Sequence, residues 1–403
     1  MGELLVRGGT LILGEPAEAW KGDLLARDGR IVRLDEGIQA PKGATELHAA
    51  GLYVAPGFID LHVHGGGGAD FMDAEPEAIR TIAAFHAAHG TTTLLAGILP
   101  APADTMRRAM AAVSEAAPCG IAGVYLEGPF VPPSKPGALD GRWFLTPSPD
   151  AFRNLVHGHE RLVKVVTLAP ELPGADELLR EVLAVGAVPA IGHTAATYEE
   201  TMAALRHGAR HFTHLWNAMS GLHHREPGPV GAALDADAWV ELIVDGIHLH
   251  PATMRLAVKA KGFDRICLVT DAIGAAGLPD GDYALAGLPV HVHDGVARLA
   301  DGTLAGSTLT MDRAVRNFME FTGCSLPQAV RTASLTPARL LGIADRKGAL
   351  EVGKDADIVV FDDNFNVHWT IIGGEIAYAR EGGAGGDLRP HHPFPSWSEQ
   401  DKP

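Results

Sequence analysis

Eight short apolar runs alternate with amphipathic helical patterns through the middle of the chain. Strands that alternate with helices predict parallel βαβ units, and eight such units predict a closed barrel. We therefore expect an α/β protein in which residues 55–344 form a TIM-like (β/α)8 barrel. The apolar runs lie at 54–64, 92–99, 121–127, 163–169, 188–193, 211–217, 240–248 and 266–271. The helical patterns lie at 78–89, 103–116, 175–184, 198–207 and 251–261.

Both ends of the chain carry short strand patterns that are separated by glycines. Neither end has enough residues to bury a core by itself. We therefore expect 1–54 and 345–385 to pair into one small β-sandwich domain built from both chain ends. A hairpin is predicted at Asp28-Gly29-Arg30, since Asp-Gly favours a two-residue turn. The tail at 386–403 is predicted to be loose.

Residues 271–308 interrupt the alternating pattern. The stretch contains several glycines and a second turn signal at Asp294-Gly295. We interpret it as an excursion after the eighth strand, followed by helices between 311 and 342. His291 and His293, which precede the turn, are predicted to be exposed hairpin residues rather than ligands.

Polar side chains stand at the ends of the predicted barrel strands. Side chains alternate across a strand, so Asp60, His62 and His64 share one face of the first. The other strand ends supply Glu127, His193, His214, His248 and Asp271. Barrels of this kind carry their chemistry at the carboxyl ends of the strands. Imidazole and carboxylate ligands suit Zn, Fe, Mn or Co, so a metal site is predicted there.

Charge and cysteine content exclude several other classes of protein. The formal net charge of −16 argues against nucleic acid or an anionic membrane as a partner. Cys119, Cys267 and Cys324 are too scattered for a disulfide framework. The N-terminus lacks a secretory signal pattern, and no window reaches the length of a membrane span. We expect a cytoplasmic protein.

The order of these strand-end residues resembles the amidohydrolase superfamily and, within it, the N-acetylglucosamine-6-phosphate deacetylase family. The resemblance runs from about residue 2 to residue 379. It implies metal-dependent hydrolysis of the N-acetyl group of N-acetylglucosamine 6-phosphate, giving glucosamine 6-phosphate and acetate. The segments that carry it are 57–65 (GFIDLHVHG), 126–130 (LEGPF), 192–194 (GHT), 214–219 (HLWNAM), 225–228 (REPG), 245–248 (DGIH), 269–272 (VTDA) and 306–311 (GSTLTM).

The resemblance also implies roles for individual residues. One divalent ion, Zn first and Fe, Mn or Co as alternatives, would bind Glu127, His193 and His214. A second ion would bind His62 and His64, with Glu127 as a bridge. Asp271 would be the catalytic acid–base residue, since a carboxylate beside the metal can take a proton from water and return it to the leaving amine. The substrate contacts would be Asn217, Ala218, Arg225, His248, Leu139 and Leu309. The protein would be a homodimer whose second subunit completes the phosphate pocket.

One position departs from the family pattern. The family usually has Lys-Gly-Ala-His in the loop after the third strand, and that histidine contacts the sugar. Here the stretch ends in Leu139. Either a neighbour such as Asp140, Arg142 or Trp143 supplies the missing contact, or the pocket has relaxed. The galactosamine epimer therefore stays open as an alternative substrate.

Two further readings differ in function. A cyclic amide hydrolase of the hydantoinase or dihydroorotase kind would bridge its metals with a modified lysine at the end of the fourth strand. That end reads Leu168-Ala169-Pro170-Glu171 and has no lysine, while Glu127 can bridge instead. A catalytically inactive scaffold would have lost ligands, and none of the expected ones is missing.

Overall fold

Eight parallel strands form the predicted barrel. The computed structural model describes residues 2–116 and 120–380. Each strand pairs in parallel with the next along the chain. The ends of the first and eighth close the ring, because Asp271 N–H donates to His62 O (2.9 Å) and His64 N–H donates to Ala272 O (2.8 Å). The barrel strands are Phe58–Val63, Thr91–Ile98, Ile121–Phe130, Val163–Leu168, Val188–Ile191, His211–Phe212, Trp239–Ile243 and Ile266–Val269.

Helices follow the barrel strands, and side-chain caps stabilise the starts of some of them, such as Tyr198–Arg206. At one of them, Thr197 Oγ1 accepts from Glu200 N–H (3.2 Å) and the Glu200 carboxylate accepts from Thr197 N–H (2.8 Å). This capping box satisfies backbone donors that the helix start leaves open. None of the helices within the described residues is long and apolar enough to cross a membrane. The α-helices are Pro76–Ala88, Ala103–Ala116, Pro149–Val156, Ala175–Ala184, Tyr198–Arg206, Gly228–Asp235, Pro251–Lys261, Met311–Thr322, Leu326–Thr332 and Leu335–Leu340, with 3₁₀ turns at Phe71–Asp73 and Gly141–Trp143.

A second sheet of eight strands is built from both chain ends, as predicted. Its core combines residues that are far apart in the sequence, such as Leu24 with Ile358 and Ile371. Asp28 and Gly29 both have positive φ (49° and 79°), which is the geometry of the predicted hairpin turn. The domain boundaries at 54/55 and 344/345 stay a prediction, and the tail at 386–403 lies outside the described residues. The strands are Glu3–Ile12, Ala19–Arg27, Arg30–Asp35, Thr45–His48, Tyr53–Pro56, Ile358–Phe361, Val367–Ile372 and Glu375–Ala379.

The excursion after the eighth strand forms a small antiparallel sheet. Val290 and Val292 point inward and join a cluster that includes Leu139 from the loop after the third barrel strand. The alternating residues His291 and His293 are exposed, as predicted. This packing places the excursion next to the mouth of the barrel. Its strands are Gly281–Leu285, Leu288–His293 and Val296–Arg298, and a further short pair is Gly65–Gly66 with Ala69–Asp70.

Candidate active site

Two groups of buried side chains meet at the carboxyl ends of the barrel strands. His62, His64 and Asp271 form one group, from the first and eighth strands. Glu127, His193 and His214 form the other, from the third, fifth and sixth strands. The structure thus brings together all six residues that the sequence places in the metal and acid–base roles.

Glu127 lies between the two groups and uses a different oxygen toward each. Its Oε1 is 2.9 Å from His193 Nε2 and 2.9 Å from His214 Nε2. Its Oε2 is 3.2 Å from His64 Nε2 and 3.6 Å from His62 Nε2. A carboxylate in this position can bridge two cations.

The donor atoms fit a divalent metal ion. The Nε2 atoms of His62 and His64 are 3.1 Å apart, and so are those of His193 and His214. Two nitrogens bound to one tetrahedral zinc at about 2.0–2.1 Å are separated by about 3.3 Å. Asp271 Oδ1 is 3.1 Å from His64 Nε2 and stands at the edge of the first group.

Hydrogen bonds on the far side of the rings leave the Nε2 atoms available as ligands. His62 Nδ1–H donates to Glu241 Oε2 (3.0 Å), and His193 Nδ1–H donates to the Lys135 carbonyl (3.0 Å). His64 Nδ1 faces the Gly97 carbonyl at 3.4 Å. Such outer contacts fix the tautomer and the ring orientation of metal-binding histidines.

Two buried carboxylates, Glu127 and Asp271, give the centre of the site a negative charge. Burial raises the pKa of Glu127, but the neighbouring imidazoles of His62, His193 and His214 hold that pKa well below its usual range. Burial likewise raises the pKa of Asp271, and the imidazoles of His62 and His64 lower it overall. Both carboxylates are therefore ionised in a dry environment, where a bound cation stabilises them.

Several of these residues have a strained backbone. His193, His214 and Asp271 have positive φ values of 47°, 26° and 51°. A non-glycine residue in that region costs of the order of 1–3 kcal/mol and persists only where the surroundings impose it. At His214 the backbone N–H donates to Glu241 Oε2 (2.9 Å), and Asp271 O accepts from Ser307 N–H (2.7 Å). The strain turns the side chains toward one centre.

Sequence reasoning missed Glu241. This carboxylate is fully buried and contacts two of the predicted ligand residues, His62 and His214. Its Oε1 also accepts from His211 Nε2 at 2.7 Å. The available signal was a single acidic residue in the otherwise apolar strand Trp239–Ile243. A buried carboxylate without partners is unfavourable, so its presence there indicates cationic or hydrogen-bonding neighbours.

A cavity of about 330 Å³ opens above the two groups. Its volume lies within the range of roughly 300–1,000 Å³ that is usual for small-molecule sites. Asn217, Ala218, His248 and Leu139, four of the predicted substrate contacts, line it. Arg298, which sequence reasoning missed, lines it as well.

Two predicted substrate contacts lie outside this cavity. Arg225 is on an exposed loop, where its Nη1 lies 2.7 Å from His224 Nε2. Leu309 is 1% exposed and packs in the barrel core. Their roles in binding stay predictions.

The fold and the site are those of an amidohydrolase. The sequence model described as "Amidohydrolase family" matches residues 53–377, and the chain therefore belongs to the amidohydrolase family. The proposed kinship with the N-acetylglucosamine-6-phosphate deacetylases within that family is confirmed by the relatives.

Three relatives illustrate the similarity. The N-acetylgalactosamine-6-phosphate deacetylase of Escherichia coli O157:H7 is 40% identical over 89% of this chain and 96% of the relative. The N-acetylglucosamine-6-phosphate deacetylase of Bacillus subtilis (strain 168) is 38% identical over 94% of this chain and 98% of the relative. The Mycobacterium smegmatis N-acetyl-D-glucosamine-6-phosphate deacetylase, solved in complex with N-acetyl-D-glucosamine-6-phosphate, has a TM-score of 0.87 and 36% identity, covering 94% of this chain and all of that one.

Proposed function

We propose that this protein hydrolyses the N-acetyl group of N-acetylglucosamine 6-phosphate and releases glucosamine 6-phosphate and acetate. The observation that carries the proposal is the pair of histidine groups joined by Glu127, with Asp271 beside them at the floor of a cavity. Relatives named for this activity cover nearly the whole chain. A homodimer in the cytoplasm is part of the proposal.

The amidohydrolase family implies a divalent metal, and the residues present fit one. Glu127, His193 and His214 would hold a first ion, and His62 and His64 a second one, with zinc as the first candidate and Fe, Mn or Co as alternatives. When bound, such an ion polarises the amide carbonyl and lowers the pKa of water toward 7.

Asp271 is suited to move the proton. Its carboxylate lines the cavity and lies beside the ligand groups, so it can accept a proton from the attacking water at Oδ1. The same oxygen then returns the proton to the amine nitrogen as the C–N bond breaks. An amine leaves far more readily when it is protonated, so one carboxylate serves both halves of the reaction.

The cavity walls can orient the amino sugar. His248 is held by Asp245, whose Oδ2 accepts from His248 Nδ1–H at 2.6 Å. This contact leaves Nε2 of His248 to face the ligand. Asn217 donates through Nδ2 to the carbonyl of His214 (3.1 Å), which places its side chain at the cavity wall.

The cyclic amide alternative is not favoured. The carboxylate at the end of the fourth strand, Glu171, accepts hydrogen bonds from Thr194 Oγ1 (2.5 Å) and Ala195 N–H (2.6 Å). Glu171 therefore stabilises the neighbouring loop by hydrogen bonds. No lysine that could bridge two metal ions stands at this strand end.

An amine-release assay tests the proposal. The purified protein is supplied with N-acetylglucosamine 6-phosphate, N-acetylgalactosamine 6-phosphate, unphosphorylated N-acetylglucosamine and a cyclic amide. We expect the highest kcat/KM for the first substrate. Preferred hydrolysis of the cyclic amide would overturn the proposal, and preferred hydrolysis of the galactosamine epimer would reassign the sugar.

Leu139→His is expected to sharpen the preference between the two epimers. Leu139 is 8% exposed and lines the cavity. Asp140, Arg142 and Trp143, which could have replaced the missing histidine, line a neighbouring groove instead. A site that hydrogen-bonds a hydroxyl discriminates strongly against an epimer, whereas an apolar wall discriminates weakly. The measurement is the ratio of kcat/KM for the two 6-phosphates.

Leu139→Met is the matched control, since it changes the shape of the wall without adding a polar group. It should leave the epimer ratio near that of the unmodified protein. If the unmodified protein already rejects one epimer by about a thousandfold or more, as hydrogen-bonding sites do, the apolar wall is not what sets the selectivity.

Glu241→Gln is expected to weaken metal binding about 10- to 100-fold, the range typical of residues that orient metal ligands. An amide offers only one acceptor oxygen, so it cannot serve His62, His211 and the backbone of His214 together. Metal retained after dialysis against a graded series of chelator concentrations gives the affinity. Glu199→Gln, an exposed change on the helix Tyr198–Arg206, is the control. Unchanged retention in Glu241→Gln would remove Glu241 from this role.

A further inference from the structure

Arg298 reaches the catalytic cavity from the excursion that follows the eighth strand. It is the last residue of the strand Val296–Arg298, and it lines the same cavity as Asp271 and Glu127. Within the described parts of the chain, it is the only arginine or lysine that does so. The cavity is thus lined by one side chain with a permanent positive charge. Neither the family pattern nor the relatives' names give this side chain a role.

The backbone around Arg298 is held by a tight hairpin. Leu299 N–H donates to Thr303 O (2.9 Å), and Ala305 N–H donates to Ala297 O (3.0 Å). The backbone of Arg298 also forms a β-bridge with Leu304 across the turn. On its other side, Arg298 pairs with His291 of the neighbouring strand. Ala297 is buried in the cluster that contains Leu139, so the hairpin packs against the loop that follows the third barrel strand.

The guanidinium is fixed in place but is not neutralised. Its Nη1 donates to the Gly302 carbonyl at 2.7 Å. No carboxylate of residues 2–116 or 120–380 forms an ion pair with it. Most of its five N–H donors therefore remain for a ligand. By contrast, Arg142 is paired with Asp140, and Arg153 is paired with Glu181.

Arg298 acts electrostatically on His248, which lines the same cavity. Burial lowers the pKa of His248, Asp245 raises it above its usual value, and the positive charge of Arg298 offsets part of that rise. His248 and Arg298 line the same cavity, so the imidazole and the guanidinium can both face an anion bound there. A planar guanidinium fork matches two phosphate oxygens at once.

The shape of the substrate decides which group would meet Arg298. In an N-acetylated amino-sugar 6-phosphate, the acetamido group at C2 and the phosphate on C6 lie at opposite ends of the ring. With the acetamido group beside Asp271 on the cavity floor, the phosphate points toward the mouth. Arg298 and Thr303 line the cavity from the excursion at that mouth.

We propose that Arg298 binds the phosphate of the substrate from within the same subunit and so makes the enzyme select phosphorylated amino sugars. The inference rests on the proposed function. It differs from the role predicted for Arg225, which lies on an exposed loop outside the cavity of its own chain. Phosphate recognition then no longer depends only on a second subunit.

Kinetics on two substrates test the inference. Arg298→Ala should raise KM for N-acetylglucosamine 6-phosphate about 10- to 100-fold, the value of a charge-assisted hydrogen bond. Hydrolysis of unphosphorylated N-acetylglucosamine should change less than about threefold. Arg298→Lys keeps the charge but not the fork, so it should recover only part of the lost affinity.

Arg255→Ala is the matched control. Arg298 and Arg255 are both exposed. The Nη1 of Arg255 also donates to a backbone carbonyl, that of Phe321 (2.9 Å), but Arg255 does not line the cavity. It should leave both substrates unaffected. An unchanged KM in Arg298→Ala, or equal losses for both substrates, overturns the inference, provided that the variant unfolds at the same temperature as the unmodified protein.

Direct binding separates this inference from the proposed function. Calorimetric titration with glucosamine 6-phosphate and with glucosamine needs no catalysis. If the unmodified protein does not hydrolyse the acetylated sugar phosphate, the proposed function fails. A selective loss of 6-phosphate binding in Arg298→Ala would still support the role of Arg298. If the unmodified protein binds both sugars equally, Arg298 does not recognise phosphate.

Discussion

Changing His193 or His214 to alanine is expected to abolish hydrolysis and to remove a metal ion. Both Nε2 atoms contact the same oxygen of Glu127. Loss of either ring would therefore leave this predicted metal site with two of its three ligands. Polarisation of a carbonyl by a metal is worth several kcal/mol, and each 1.4 kcal/mol is about tenfold in rate. We therefore expect kcat to fall by more than roughly a thousandfold, measured together with metal content by elemental analysis.

The second histidine pair of the sequence provides the control for this experiment. His291 belongs to a His-x-His pattern like that of His62 and His64, but it is exposed on the excursion and pairs with Asp282. His291→Ala should leave both activity and metal content unchanged. Full activity in protein verified to be free of metal would contradict the proposed mechanism.

Substitution of both His62 and His64 tests how many metal ions the protein binds. Changing both to alanine should lower the metal stoichiometry by at most one, because Glu127, His193 and His214 remain. If elemental analysis gives the same stoichiometry before and after the change, these two residues are not ligands.

Asp271→Asn is expected to lower kcat by about 10²- to 10⁴-fold, the usual contribution of general acid–base catalysis. Asparagine keeps the shape of the side chain but cannot cycle a proton. It also tolerates the left-handed backbone found at this position, where φ is 51°. The loss should therefore come from chemistry, with the fold intact and the metal content nearly constant.

Asp282→Asn, an exposed change on the excursion, is the control and should not alter kcat. Single-turnover measurements would show whether the step that slows in Asp271→Asn is bond cleavage rather than product release. A variant that retains activity within two- or threefold of the unmodified protein would place the proton transfer on another group.

Local pattern alone was enough to predict the barrel and most of its site. Alternating strands and helices leave few topologies open, and a parallel barrel brings the carboxyl ends of all its strands to one face. For that reason Glu127, His193, His214 and Asp271 could be expected to meet although they are distant in the sequence. The two-residue alternation of a strand likewise placed His62 and His64 side by side.

Other features depend on contacts that no local pattern encodes. Glu241 matters because two of the predicted ligand residues, from other strands, lie against it inside the closed ring. Arg298 matters because the excursion packs beside the loop that carries Leu139, so its guanidinium reaches the cavity. Arg225 and Leu309 have the residue types and motifs expected of substrate contacts, yet within one subunit their backbones place them outside the cavity. The sequence therefore determined which groups stand at the strand ends, where geometry repeats. The tertiary structure decided which loop residues reach them, because a loop's path is set by what it packs against rather than by its own periodicity.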